Sequence, residues 1–79
     1  MTRMEKLLER MRRNPHGWHI EDLQAMAEHF GLAWRHQGTS HVTFRHPDGA
    51  KLTIPARRPI KPIYIRQFLA MLEQIGEKP

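Results

Sequence analysis

The chain has 79 residues and no cysteine, and its 13 Lys and Arg outnumber its 8 Asp and Glu for a formal net charge of +5. That length gives one domain with a modest core, and the missing cysteine excludes both a disulfide and a thiolate metal site. No apolar run approaches the ~18 residues of a membrane span, and the charged N-terminus lacks the apolar stretch of a signal peptide, so the expected compartment is the cytosol, with no membrane partner.

Residues 2–13 read as an amphipathic helix. Met4, Leu7, Leu8 and Met11 recur at helical spacing, Thr2 is placed to cap the start, and Asn14, Pro15 and Gly17 stop it. Residues 20–30 read as a second helix with Ile20, Leu23, Met26, Ala27 and Phe30 on one face. Glu21 and Asp22 occupy its first turn, where the helix dipole favours acids, and Gly31 follows it as a natural end. Trp18 precedes this helix and is expected to pack under it. The Met and Leu stripes read as core and imply no cofactor.

Three strands follow. In residues 32–36, Leu32, Trp34 and His36 alternate with Ala33 and Arg35. In residues 41–46, Val42 and Phe44 point inward while His41, Thr43 and Arg45 point outward. In residues 51–54, Leu52 and Ile54 are inward, Lys51 and Thr53 outward. Pro47-Asp48-Gly49 joins the second strand to the third as a hairpin, and Gln37-Gly38-Thr39-Ser40 is a short turn joining the first to the second. Residues 55–62, with Pro55, Pro59 and Pro62 among Arg57, Arg58 and Lys61, read as an extended, stiffened basic connector. A last helix runs from about Pro62 to Ile75, burying Ile65, Phe68, Leu69, Leu72 and Ile75, with Gly76 at its end.

The order is α-α-β-β-β-α, an α+β domain. Its three-stranded antiparallel sheet has one apolar face, which the helices must cover. Residues 1–79 are expected to form a single domain, with 1–17 an added N-terminal helical segment on a core of 18–76.

The charge is unevenly placed. Residues 1–34 balance five bases against five acids, whereas residues 35–66 carry seven bases (Arg35, Arg45, Lys51, Arg57, Arg58, Lys61, Arg66) against Asp48 alone. The polar face of the sheet therefore collects Arg35, Gln37, His41, Thr43, Arg45, Lys51 and Thr53 with no acid among them. That is the footprint of a polyanion partner, nucleic acid first, able to track phosphates; the plainer reading is a solvated basic surface.

Six histidines invite a metal reading, but strand parity sends His36 inward and His41 outward, His46 is out of phase with His41, and no carboxylate or cysteine joins them. No metal site is expected. RNA cleavage asks for less. The 2′-OH attacks its own phosphodiester once a base of near-neutral pKa takes its proton, and histidine is that base. The charge that develops needs cations or N–H donors around it, which Arg45, Lys51 and Arg57 supply, with Gly38, Thr39 and Ser40 adding backbone and hydroxyl donors. On residues alone, an exposed His at a strand end is more often an ordinary surface residue.

Gly38-Thr39-Ser40-His41-Val42-Thr43-Phe44, Pro47-Asp48-Gly49, Thr53-Ile54-Pro55 and Pro59-Ile60-Lys61-Pro62-Ile63-Tyr64-Ile65 follow one another in this order. This series resembles the HicA family of toxin ribonucleases. Members carry a Gly-Ser-(Ser)-His-x-x-Phe strand, a Pro-Asp-Gly-like turn, an Ile-Pro step and a Pro-Ile-Lys-Pro-x-Tyr-Val helix start, and the resemblance covers residues 30–75. It implies a fold like that of double-stranded-RNA-binding domains, cleavage of messenger RNA and a HicB-type antitoxin that covers the site; the residues themselves call for no metal and no small-molecule cofactor. It also implies that His41 is the catalytic residue. Many members place a second His just after the Ile-Pro step; here Ala56, Arg57 and Arg58 follow it, and Arg57 can stabilise charge but cannot shuttle protons. The helix at 2–13 is an addition to the minimal family unit, either padding the core or offering its apolar stripe to a partner.

The expected function is thus a toxin acting as a messenger-RNA endoribonuclease. Arg35, Ser40, Thr43, Arg45, Lys51, Arg57, Lys61 and Tyr64 are its RNA-binding candidates. The alternatives are a non-catalytic RNA-binding domain of the same fold and an interaction module whose basic face receives an acidic protein.

Overall fold

In the computed structural model, residues 2–36 and 40–76 are described. The element order is α1 (Arg3–Arg13), α2 (Ile20–His29), β1 (Ala33–His36), β2 (His41–Arg45), β3 (Lys51–Pro55) and α3 (Pro62–Gly76). The strands form one antiparallel sheet in the order β1-β2-β3. This is the expected α+β arrangement of a double-stranded-RNA-binding-like fold, with one more helix at its start. The turn expected over Gln37–Ser40 lies outside the described residues except for Ser40.

The caps expected at the start of α1 and the end of α2 form, and α2 gains one at its start as well. The Thr2 hydroxyl accepts the Glu5 N–H at 3.2 Å while the Glu5 carboxylate accepts the Thr2 N–H at 3.3 Å, which satisfies two donors that a helix start leaves open. The Glu5 carboxyl is held below its ordinary value first by that Thr2 N–H and then by the Thr2 hydroxyl. At α2 the Asp22 carboxylate accepts the His19 N–H at 2.9 Å. Gly31, at φ +79°, takes the left-handed conformation that ends α2.

Val42, Phe44 and Ile54 are wholly buried on the inner face of the sheet. Phe44 meets Phe68 of α3 edge-on, ring centroids 5.2 Å apart. Helix α3 packs against β3, α2 against β1, and α1 against α3. Met11 is fully buried, and Met4, Leu7 and Leu8 pack on the same core, so α1 is part of the hydrophobic interior. The Arg12–Glu73 ion pair at 3.4 Å ties it to α3 at the surface.

Two expectations change. Trp34 shares the inner face with Phe44, its register partner, yet stays 38% exposed. β1 is an edge strand, so Trp34 is only partly covered there, and its indole N–H reaches the Glu28 carboxylate of α2 at 3.3 Å. The stretch 55–62 is also more than a connector. Ile60 is buried, its N–H donates to the Trp18 carbonyl at 2.9 Å, and the Arg58–Pro59 peptide is cis. Arg58 pairs with Glu21 of α2. The segment is thus stitched to the loop before α2 and to α2 itself.

Candidate functional site

The hairpin between β2 and β3 sets the sheet's outer face. The His46 N–H donates to the Ala50 carbonyl and the Gly49 N–H to the His46 carbonyl, both at 2.9 Å, and the Asp48 carboxylate accepts the Ala50 N–H at 2.9 Å. Gly49 has φ +104°, which only glycine adopts without strain. With the turn closed in this way, register places His41 opposite Pro55, Thr43 opposite Thr53 and Arg45 opposite Lys51. Across the other edge Arg35 pairs with Thr43 and Ala33 with Arg45. The outer face therefore has three rows: His41 and Pro55; Arg35, Thr43 and Thr53; Ala33, Arg45 and Lys51.

His41 lies at the first row, at the start of β2. Its Nδ1 is 3.4 Å from the Ser40 hydroxyl, and the Ser40 carbonyl is held by the Ala56 N–H at 2.6 Å. Here the chain entering β2 and the chain leaving β3 run side by side, bringing Arg57 beside His41. At the start of α3, the Lys61 carbonyl accepts the Tyr64 N–H at 3.0 Å, and Pro62 spends no donor where the first turn has none to satisfy. Ser40, His41, Pro55, Arg57, Lys61 and Tyr64 together line a concavity of about 210 Å³.

The remaining candidates form a second group. Arg35, Thr43, Arg45 and Lys51 line an open groove of about 440 Å³ with Ala33 and Trp34. The Thr43 and Thr53 hydroxyls are 3.1 Å apart in its middle row. All nine residues singled out from the sequence thus line one or other of two basins, one around His41 and one on the open sheet. Pro55, Trp34 and Thr53 join them; Thr53 was already legible as an outward strand residue, whereas Pro55 enters only through its register with His41.

The basins carry cations without acids among their lining residues. Arg58 is not one of them, because Glu21 holds it on the α2 side. The Glu21 carboxyl is depressed first by its own backbone N–H and then by Arg58. One reading of the histidines is corrected: His46 does meet a carboxylate, its Nδ1 lying 3.0 Å from Asp48 Oδ1. That pair belongs to the hairpin turn, where the Asp48 N–H also approaches the His46 ring at 3.2 Å. Among the described residues, no three His, Cys, Asp or Glu side chains converge as metal ligands, and no helix is long and apolar enough to cross a membrane.

A family model described as the HicA toxin of bacterial toxin–antitoxin matches residues 20–77. It takes in every candidate residue and begins at the first residue of α2, leaving α1 outside. No curated protein and no solved structure matches the chain.

Proposed function

Because the chain belongs to the HicA toxin family of bacterial toxin–antitoxin systems, we propose that it is a toxin that cleaves messenger RNA at His41 and is held in check by a HicB-type antitoxin. The observation that supports this most is the convergence of His41, Ser40, Arg57, Lys61 and Tyr64 around one concavity at the start of β2. Two chain segments and a helix start deliver an imidazole, two cations and two hydroxyls to a space the size of a phosphodiester and its sugar.

The chemistry needs no metal. The His41 imidazole takes the proton of the 2′-OH, the 2′ oxygen forms a bond to the adjacent phosphorus, and the bond from phosphorus to the 5′ oxygen breaks. A proton returned to that oxygen leaves a 2′,3′-cyclic phosphate and a 5′-hydroxyl end. Arg57 and Lys61 stabilise the charge that builds on the non-bridging oxygens, and Ser40 beside Nδ1 holds the ring. Tyr64 contributes a hydroxyl to the phosphate. Arg35, Thr43, Arg45 and Lys51 bind flanking RNA on the sheet. The cytosol is where both substrate and antitoxin would be met.

Purified protein incubated with a defined messenger RNA in excess chelator tests the reading. Cleavage that persists, leaves cyclic-phosphate ends and vanishes in His41→Ala is the expected result. Cleavage that requires added divalent metal, or that His41→Ala retains, contradicts it. Tight RNA binding without any cleavage would instead favour the non-catalytic domain of the same fold.

A further inference from the structure

The row spacing of the outer sheet face turns the second basin into a ruler. Residues two apart on a strand are separated by about 7 Å, so Arg45 lies about 14 Å from His41 along β2. Between them the middle row offers the Thr43–Thr53 hydroxyl pair and Arg35 at one edge. Cations reappear as a pair, Arg45 beside Lys51, in the last row. The His41 basin and the Arg45–Lys51 pair are therefore charged ends joined by a hydrogen-bonding middle that has Arg35 at its edge.

Resting on the cleavage reading above, we propose that unpaired RNA runs along β2 from His41 to the Arg45–Lys51 pair, so that the preferred substrate has a single-stranded segment extending to one side of the scissile phosphate. A span of about 14 Å corresponds to about four nucleotides at a stacked rise of about 3.4 Å, or about two when the backbone is drawn straight. The segment must be unpaired for a chemical reason. Attack by the 2′ oxygen requires it to lie in line with the departing 5′ oxygen, and an A-form duplex holds the two out of line. The groove agrees: about 440 Å³ is the scale of a pocket for a small ligand, enough for one strand laid over the sheet. The Thr43–Thr53 pair sits where ribose and bases cross, with hydroxyls that both donate and accept, as recognition of a 2′-OH requires. Arg45 and Lys51 then hold a phosphate beyond the cleaved one.

Binding in a His41→Ala background separates this from the cleavage reading, because no substrate is consumed. Labelled single-stranded di- and octaribonucleotides and a fully paired duplex of the octamer are titrated at low salt. Thermal melts confirm that each variant is folded. The octamer should bind about tenfold or more tightly than the dinucleotide, which is too short to span the two ends, and Arg45→Gln/Lys51→Gln should abolish most of that gain. Arg57→Gln should weaken both lengths alike, and the duplex should bind more weakly than the single strand. A length gain that survives the double substitution, or a duplex bound as well as the single strand, overturns the ruler while leaving His41 chemistry intact. Loss of the gain in a protein whose wild type never cleaves RNA supports the ruler and refutes the cleavage reading. Failure of every oligonucleotide to bind refutes both.

Discussion

His41 is exposed at the end of a strand whose next residue, Val42, is wholly buried. The side chain is thus presented by rigid structure yet contributes little to the core, and replacing it separates chemistry from folding. His41→Ala should leave stability within about 0.5 kcal/mol of wild type, as for other surface substitutions, while removing RNA cleavage. A denaturant melt beside a cleavage assay checks both, and an unfolded variant would show that the residue is structural. Arg57 and Arg58 make a sharper pair. They are adjacent in sequence, but Arg57 lines the His41 concavity and Arg58 is engaged by Glu21. Arg57→Gln should reduce the rate at least tenfold, the usual scale for a donor to a developing charge, whereas Arg58→Gln should leave it within about twofold. Equal losses would place the two residues in one electrostatic field rather than in separate roles.

At the scale of elements, α1 carries the clearest test. The family match begins after it, yet Met11 is fully buried against the rest of the core. Met11→Ala should cost about 2–5 kcal/mol, the usual penalty for truncating a buried methionine, which is a large part of the 5–15 kcal/mol that small domains possess. A cost near zero would make α1 a detachable arm with a partner of its own. The Thr2–Glu5 cap adds a pH signature. Because the Glu5 carboxyl is held below its ordinary value, its contribution is present above the unfolded-state value and is lost as pH falls through the folded one. Thr2→Ala should therefore flatten part of the acid limb of the stability profile.

The elements also show what could be read from the chain. The helices, the three strands and the faces that β2 and β3 bury were legible because alternation and helical periodicity are local patterns. The outward set His41, Thr43, Arg45, Lys51 and Thr53 followed from the same alternation. Three features were not legible, each for a non-local reason. Trp34 looked like core, but only the sheet order shows that β1 is an edge. Ile60 looked like linker, but its burial depends on the hydrogen bond to Trp18 from a distant loop. The division of the cations into two basins, and the removal of Arg58 from either, depend on register and on a pairing with Glu21 far earlier in the chain. Alternation put His41 on the outward, basic face, but only the motif around it singled it out as the candidate among the six histidines.

For the whole molecule, the segregated charge has a measurable consequence. Arg35, Arg45, Lys51, Arg57 and Lys61 line the two basins, and if each neutralises one phosphate of a single strand, log affinity should fall against log salt with a slope of roughly −3 to −4. A flat response would remove RNA from that surface and favour an acidic protein partner recognised by shape. The most direct test of the central claim is induced expression of the wild type and of His41→Ala at matched levels, following growth and the integrity of messenger RNA. Wild-type protein should arrest growth with fragmented messages while cells making the variant grow with intact ones. Arrest and fragmentation by both proteins, or by neither when both are folded, would contradict His41 as the seat of the toxin's activity.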